Sequence, residues 1–281
     1  MSARPFSQVD VFTDVLMRGN PVAVVHDAPG AAAIDDARMQ DFARWTNLSE
    51  TTFLLAPTDP AADYRVRIFT PGGELAFAGH PTLGSCHAWL ERGGVPKRAG
   101  VVMQECGVGL VTIRLDGSRT AFSAPPLEAA PVDPSTMGAV LAAFGVPPER
   151  LVDAQWLRNG PNWLGFLLDR AEAVLALEPE QGLLKAFDKV GFIAPWPPGG
   201  ECDFEVRAFV CGTRPFEDPV TGSLNAGFAQ WLIGSGRAPE RYLAGQGQRL
   251  GRSGRVHVAR DGGTIWIGGD CVTAIRGDVW L

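Results

Sequence analysis

The sequence predicts an α+β protein made of two similar halves, and three observations support this interpretation. Residues 66–69 (VRIF) and 206–209 (VRAF) are matching strand sequences, and residues 79–85 (GHPTLGS) and 217–223 (EDPVTGS) are matching turns that follow them. Strand patterns outnumber helical ones without alternating as βαβ units. Residues 124–134 contain four prolines, which favours a linker between the halves.

The first half opens with a predicted hairpin, in which residues 8–12 and 22–25 are strands and residues 19–21 (GNP) form the turn. Residues 34–45 carry apolar side chains at helical spacing, with Asp35 and Asp36 at the end where acidic groups favour a helix. The remaining predicted elements are strands at 51–56 and 64–70, a helix at 81–92 closed by two glycines, and strands at 101–104, 110–115 and 120–123.

The second half reopens with a predicted helix at 135–144. Its other predicted elements are strands at 155–157, 163–168 and 204–210, a helix from 219 to about 234, and strands at 248–250, 256–259, 264–268, 272–275 and 279–281. We therefore expect two pseudo-repeated domains, residues 1–124 and 125–281, each an antiparallel barrel-like sheet around one central helix. The closing strands are free to pack back on the first half.

Composition excludes several classes of function. Apolar residues make up 46% and charged residues 20% of the chain, as in globular proteins. The net charge of −6 and the scattered basic residues argue against nucleic-acid and membrane partners. No apolar stretch is long enough to span a membrane, and no secretory leader is recognised. Five cysteines without CxxC spacing fit a reducing compartment, so we expect a cytoplasmic protein.

Glu50 is the first candidate for proton transfer. It ends the polar segment NLSE between a predicted helix and a predicted strand. A partly desolvated carboxyl group at such a junction has its pKa raised toward that of a working general acid or base. The alternative is a glutamate that only caps the helix or stabilises the turn.

His80 and Asp218 occupy matching positions, each directly before a proline at a predicted helix start. A positive helix end disfavours an imidazolium ion, so we expect a neutral His80 ring. Asp218 is also explained as an ordinary helix N-cap, and His80 as an unreactive histidine at a helix start. Their equivalence in the repeat is what favours a catalytic role for both.

Gly222 and Ser223 fall in the first turn of the second predicted central helix, where N–H groups and a hydroxyl can bind a carboxylate. The alternative is a packing glycine followed by an ordinary helical serine. His87 lacks the further ligands and the short spacing of a metal site, so no metal is predicted. No nucleotide-binding, flavin-binding or serine-hydrolase motif is found.

The chain resembles the PhzF-like family, named for the phenazine-biosynthesis isomerase, which shares the diaminopimelate-epimerase fold. The segments that carry the resemblance span both halves in order: VDVFTDVLMRGNPVAVV, NLSETTF, RIFTPGGELAFAGHPTLG, RAFVCGTRPFEDPVTGSLNAG, QGQRLGRSGRVHV and IWIGGDCV. The resemblance implies that Glu50 is the essential acid/base residue, with His80 and Asp218 as its partners. It implies substrate contacts from Gly222, Ser223 and Asn20. We add Ser49 and Gly79 as candidate substrate contacts, because they adjoin Glu50 and His80 in the same motifs.

The resemblance also implies a homodimer that needs no cofactor, with an active site between the two domains. We therefore expect an isomerase or epimerase that moves a proton on a small carboxylate-bearing substrate. One alternative is a binding or scaffold protein that has kept the fold without catalysis. Another is a racemase that uses two cysteines, which is disfavoured because positions 80 and 218 hold His80 and Asp218.

Overall fold

The computed structural model describes residues 2–27 and 33–281. The helices are α1 (Asp36–Thr46), α2 (Gly79–Glu91), α3 (Pro134–Ala143), α4 (Ala171–Leu175) and α5 (Gly222–Gly234). The strands are β1 (Ala3–Val11), β2 (Asn20–Val25), β3 (Glu50–Leu55), β4 (Tyr64–Thr70), β5 (Gly73–Leu75), β6 (Val101–Cys106), β7 (Gly109–Asp116), β8 (Arg119–Ser123), β9 (Glu128–Pro131), β10 (Leu151–Arg158), β11 (Asn162–Leu168), β12 (Lys189–Pro195), β13 (Phe204–Val210), β14 (Phe216–Asp218), β15 (Arg241–Gln246), β16 (Gly254–Asp261), β17 (Thr264–Gly269) and β18 (Cys271–Trp280). In the described part of the chain, no helix combines the length and apolar character that a membrane crossing requires.

The chain groups into two compact units, Met1–Ser123 with Gly268–Leu281, and Ala124–Ile267. In the first unit, β1 pairs antiparallel with β2 and with β18. The sheet continues from β2 to a parallel β3, an antiparallel β4, and then a parallel β6 followed by antiparallel β7 and β8. The short β5 folds back antiparallel on β4.

Helix α2 is the central helix of this unit and packs against β1, β2, β3, β6, β8 and β18. Its residues from Gly79 to Cys86 are all buried, as expected for a helix that is enclosed by strands. Gly84 allows the close approach, because a Cβ at this position would lie 2.4 Å from Cγ1 of Val22 and 2.9 Å from Cγ2 of Val11.

The second unit contains the same series of strand pairings. Strand β10 pairs antiparallel with β9 and β11, β11 pairs parallel with β12, and β12 pairs antiparallel with β13. Strand β13 then pairs antiparallel with the short β14 and parallel with β15, which pairs antiparallel with β16. Helix α5 packs on β10, β11 and β16.

The pairing order from β10 to β16 therefore repeats the order from β1 to β7. In both series a helix lies between the fifth and sixth strands, α2 in the first and α5 in the second. The core of the second unit includes four phenylalanines with neighbouring ring centroids 4.8 to 6.3 Å apart (Phe144, Phe166, Phe192 and Phe209). The prediction of an α+β protein with a mostly sheet core is confirmed.

The sheets are mixed rather than antiparallel, and this part of the fold prediction was wrong. The parallel pairs are β2 with β3, β4 with β6, β11 with β12, and β13 with β15. A parallel pair needs a long crossover connection, and α1 and α2 lie within such connections in the first unit.

Three local predictions also differ from the structure. The proline-rich segment is not a free linker, since its residues 128–131 form β9, which ends at Pro131, where a strand tolerates proline. Residues 248–250 form a 3-10 helix between Gly247 and Gly251, both with positive φ. The strands predicted at 272–275 and 279–281 are one strand, β18, and the predictions missed β5, β12, β14, β15 and helix α4.

Candidate active site

Glu50 and His80 lie together in the first unit. Glu50 is the first residue of β3, and its Oε2 lies 3.4 Å from Nε2 of His80, the second residue of α2. The side chain of His80 is 6% exposed and that of Glu50 is 15% exposed. The structure thus brings together two residues 30 positions apart (50 and 80) that the sequence analysis assigned to proton transfer.

The strand pairing explains why Glu50 reaches this place. Helix α1 begins after Asp35, whose side chain accepts a hydrogen bond from the Arg38 N–H, and it ends at Asn47 in the left-handed region. Because Asn47 closes the helix, Glu50 is not its cap. In the parallel pair of β2 and β3, Val22 is opposite Glu50. The start of β2, with the fully buried Asn20, therefore lies at the same sheet edge as Glu50.

The His80 ring is neutral, as predicted, but for a different main reason. Burial lowers the pKa of His80 to about 3, partly opposed by a hydrogen bond from the ring to the Pro21 carbonyl oxygen. Among the described residues, Nε2 has no hydrogen-bond partner, so we assign the bond to Pro21, and the ring proton, to Nδ1. Nε2 then presents its lone pair to Glu50.

This arrangement determines which proton transfers the pair can perform. Glu50 can donate a proton toward Nε2 when its carboxyl group is protonated, and it can accept one from a bound molecule when it is ionised. The ring cannot readily become an imidazolium ion, because its burial disfavours the charge. Glu50 is therefore the better candidate for the group that exchanges a proton, with His80 as its neighbour at 3.4 Å.

Ser49 and Gly79 lie directly beside this pair in the chain. Ser49 is half-buried in the bend that connects α1 to β3. Gly79 is the buried first residue of α2, which starts after Ala78, a residue with no side-chain cap. The N-terminus of α2 thus presents N–H groups that no N-cap side chain occupies, next to His80.

Asp218 belongs to the second unit, and its predicted position at a helix N-cap was wrong. It is the last residue of β14, and α5 begins only at Gly222, with Thr221 as the N-cap. The Gln246 side chain holds the intervening turn, because its Nε2 donates to the Asp218 carbonyl at 3.1 Å and its Oε1 accepts the Thr221 N–H at 3.0 Å. Pro219 therefore precedes the helix instead of starting it.

Gly222 and Ser223 are the first two residues of α5, where backbone N–H groups lack partners within the helix. The Ser223 hydroxyl oxygen accepts the Trp163 indole N–H at 3.1 Å, which leaves the hydroxyl proton to donate to a ligand. Its counterpart in the repeat, Ser85, is completely buried and donates to Thr52 Oγ1 at 2.9 Å. The two serines therefore differ in what they can bind.

A buried ion pair fixes the strand that ends at Asp218. Arg207 binds both carboxylate oxygens of Glu217, at 2.9 and 2.7 Å, and also donates to the carbonyls of Val174 and Leu177. Its guanidinium carbon lies 4.9 Å from the centre of the Phe209 ring. The first unit repeats this cluster on its own hairpin, from the residues Arg67, Glu74 and Phe69.

Asp218 and Ser223 are held in place by residues that were not predicted from the sequence, namely Asn159, Trp163, Thr221, Asn225 and Gln246. Asn159 donates to the Ser223 carbonyl at 2.7 Å. Gln246 stands in the glycine-rich motif QGQRLG, and no element was predicted at its position. A buried amide in a strand must find partners, and that requirement is the only sequence signal that could have identified it.

Other candidate groups lie outside these two sites. No group of three or more His, Cys, Asp or Glu side chains suited to a metal ion occurs among residues 2–27 and 33–281. Nε2 of His87 lies 3.1 Å from Oγ1 of Thr273 and 3.4 Å from Oε1 of Glu91. Burial raises the pKa of Cys86, and it raises that of Cys211 to about 11, so neither thiol is poised to ionise.

Comparison with known proteins identifies relatives along almost the whole chain. The family model PhzC-PhzF, described as phenazine biosynthesis-like protein, matches residues 9–277. The chain is 36% identical over 306 aligned positions to antisense-enhancing sequence 1 of Schizosaccharomyces pombe, covering 100% of both proteins. It is 31% identical to the trans-2,3-dihydro-3-hydroxyanthranilate isomerase of Pseudomonas aeruginosa, with 90% of this chain and 89% of that protein covered.

The fold is also similar to solved structures. A phenazine biosynthesis protein of the PhzF family from Enterococcus faecalis matches with a TM-score of 0.81 and 26% identity, covering 100% of both chains.

Proposed function

The chain belongs to the phenazine biosynthesis-like (PhzC-PhzF) family, and from this premise we propose that it is an isomerase that moves a proton on a small carboxylate-bearing substrate. Relatives named as isomerases support the reaction class. The single observation that carries the proposal is the contact between Glu50 and His80, which places a carboxyl group against a neutral imidazole.

Glu50 is the proposed acid/base group. It would remove a proton from a carbon atom of the substrate and return it at another position or on the other face. His80 would orient the Glu50 carboxyl group through Nε2, while the Pro21 carbonyl fixes the ring through Nδ1. Asn20, Ser49 and Gly79 are proposed substrate contacts, because they lie at the same sheet edge or adjoin the pair in the chain.

The second unit is proposed to supply the groups that recognise a carboxylate. The N–H groups of Gly222 and Ser223 at the start of α5, together with the Ser223 hydroxyl, form a set of donors suited to an anion. Asp218 is proposed as a second proton-transfer or positioning group. The matching series of strand pairings supports the finer proposal that the molecule consists of two pseudo-repeated halves.

The proposal is tested by solvent deuterium incorporation. The protein is incubated in D2O with trans-2,3-dihydro-3-hydroxyanthranilate, the compound in the name of one relative, and with a panel of small amino and hydroxy carboxylic acids. We expect at least one of these compounds to acquire deuterium at carbon and to be isomerised without added metal or cofactor. Binding of such compounds with no exchange into any of them would instead favour a non-catalytic binding protein.

A further inference from the structure

We infer that Thr221 and Gln246 are positioning residues that hold the Asp218 carboxylate in one orientation, an inference that rests on the role proposed above for Asp218. All the contacts that support it lie within the second unit. Neither Thr221 nor Gln246 is a proposed substrate contact.

The Gln246 side chain is completely buried, and each of its hydrogen-bonding positions is used. Its Nε2 donates to the Asp218 carbonyl oxygen at 3.1 Å and to Thr221 Oγ1 at 3.0 Å. Its Oε1 accepts the Thr221 N–H and the Asn225 Nδ2, each at 3.0 Å. Since a primary amide has two donor hydrogens and two acceptor lone pairs, this side chain has a single orientation that satisfies them all.

The orientation of Gln246 determines the orientation of the Thr221 hydroxyl. Thr221 Oγ1 accepts a hydrogen bond from Gln246, and it lies 2.5 Å from Asp218 Oδ2. The hydroxyl has one proton, and a carboxylate can only accept, so that proton points at Asp218. Asn225 fixes the Thr221 backbone from the other side, with its Nδ2 donating to the Thr221 carbonyl at 2.9 Å.

The Thr221 side chain does not cap its helix, although a threonine at the N-cap position usually does. Thr221 is the N-cap of α5, where a threonine side chain normally accepts an N–H of the first helical turn. Here the side chain makes no capping hydrogen bond and contacts Asp218 instead. A threonine that only stabilised the helix would be expected to cap it, so the diverted hydroxyl indicates a task connected with Asp218.

The backbone after Gln246 is shaped to fit this turn. Gly247 has a φ of +94°, and a Cβ at this position would lie 2.7 Å from the Pro219 carbonyl oxygen. Glycine therefore permits β15 to end close against the segment that carries Asp218. The segment is held at both ends, by Gln246 on this side and by the Arg207–Glu217 pair before Asp218.

The first test compares Thr221→Val, which keeps the shape and removes the hydroxyl, with Thr221→Ser, which keeps the hydroxyl. The turnover of trans-2,3-dihydro-3-hydroxyanthranilate, or of the panel compound that exchanges deuterium, is measured for both. We expect Thr221→Val to lower kcat by about tenfold to hundredfold with KM changed less than about threefold, because misplaced catalytic groups lose rate on this scale. Thr221→Ser should stay within about threefold of the unmodified protein.

The control for a purely structural effect is Leu168→Ala, which opens a cavity at a completely buried core position of the same unit. It should lower Tm without reproducing the loss of kcat.

A double variant tests whether Thr221 acts through Asp218. Thr221→Val should cause no further loss of rate in the Asp218→Asn background, since two changes to one interaction are not additive.

The results separate the two proposals. A normal rate for Asp218→Asn would reject the catalytic role of Asp218. A slow Asp218→Asn combined with a normal Thr221→Val would reject the positioning inference alone.

A second measurement needs no substrate. The side-chain carboxyl 13C resonance of Asp218 can be identified in aspartate-labelled protein as the one missing from Asp218→Asn. Its chemical shift should change in Thr221→Val and in Gln246→Met, and it should be unchanged in Leu168→Ala. An unchanged resonance in folded Thr221→Val would overturn the inference.

Discussion

Nε2 of His80 lies 3.4 Å from Oε2 of Glu50, and the nitrogen faces the carboxyl group as an acceptor because Nδ1 is bound to the Pro21 carbonyl. A donor nitrogen at this place would hold Glu50 as a carboxylate. An acceptor nitrogen can instead receive a hydrogen bond from the Glu50 carboxyl group whenever that group is protonated. The direction of this one contact therefore determines which member of the pair can exchange a proton.

Glu50→Gln should remove proton exchange without removing the contact. The amide has the same shape and can donate to Nε2, but it cannot transfer a proton. Positioned general acid/base groups contribute about 10²- to 10⁴-fold in rate, so deuterium incorporation into a turned-over substrate should fall by about that factor. Carboxylate binding, measured by calorimetry, should persist. Near-normal exchange by a folded Glu50→Gln protein, together with inactive His80→Asn, would assign the base to His80 instead.

Ser223→Ala and Ser85→Ala form a matched pair at equivalent positions of the repeat. Ser223→Ala should weaken carboxylate binding, because its hydroxyl proton is available to a ligand. Ser85→Ala should leave binding unchanged and lower the free energy of unfolding by about 1 kcal/mol, since it loses a buried hydrogen bond to Thr52. Calorimetric titration and urea unfolding of both variants check this, and equal effects on binding would contradict it.

The duplicated arginine clusters should differ in their contribution to stability. Arg207 and Glu217 are only 5% and 10% exposed, whereas Arg67 and Glu74 are 18% and 42% exposed. Arg207→Met leaves a buried carboxylate without its partner and should cost about 3–5 kcal/mol of the free energy of unfolding. Arg67→Met removes a partly solvated pair and should cost about 1 kcal/mol or less. Urea unfolding at one pH compares the two, and equal losses would show that burial is not the deciding factor.

Glu205 should make the protein less stable as the pH rises. Burial raises the pKa of Glu205 to about 7, while hydrogen bonds from Trp196 and Gln248 oppose the shift. Because the folded state holds this proton more tightly than the unfolded chain, the stabilisation is complete below about pH 4.5 and is lost as the pH rises through 7. The raised pKa corresponds to a loss of about 3 kcal/mol in the free energy of unfolding once Glu205 is fully ionised.

Glu205→Gln removes this titration and should flatten the change in unfolding free energy between pH 5 and pH 8. Glu201→Gln serves as the control, because that carboxylate is exposed and its pKa is lowered by Arg255. If Glu205→Gln keeps the full pH dependence, other groups account for it.

Much of the first unit could be predicted from local sequence. The helix at 81–92 is observed as α2, and the strands at 51–56 and 64–70 are observed as β3 and β4. These segments combine consistent apolar patterns with clear glycine and proline boundaries. The family resemblance implied that His80 is a partner of Glu50, and the two side chains lie 3.4 Å apart.

The turn at Asp218 could not be predicted in the same way. A proline after an aspartate is typical of a helix start, and the local sequence contains nothing against that interpretation. The side chain that prevents it is Gln246, which is 28 residues away. Strands β12 and β15 were missed because each pairs with a parallel neighbour and is mostly buried, so apolar and polar residues do not alternate.

The pairing of β1 with β18 sets an order in which the two units can be completed during synthesis. The second unit, Ala124–Ile267, is continuous in the chain, whereas the first needs Gly268–Leu281 for its last strand. Because β1 is synthesised before β18, it cannot have neighbours on both sides until β18 has been made. Until then β1 has an open edge that can pair with other chains, a hazard of newly made protein that the continuous unit avoids.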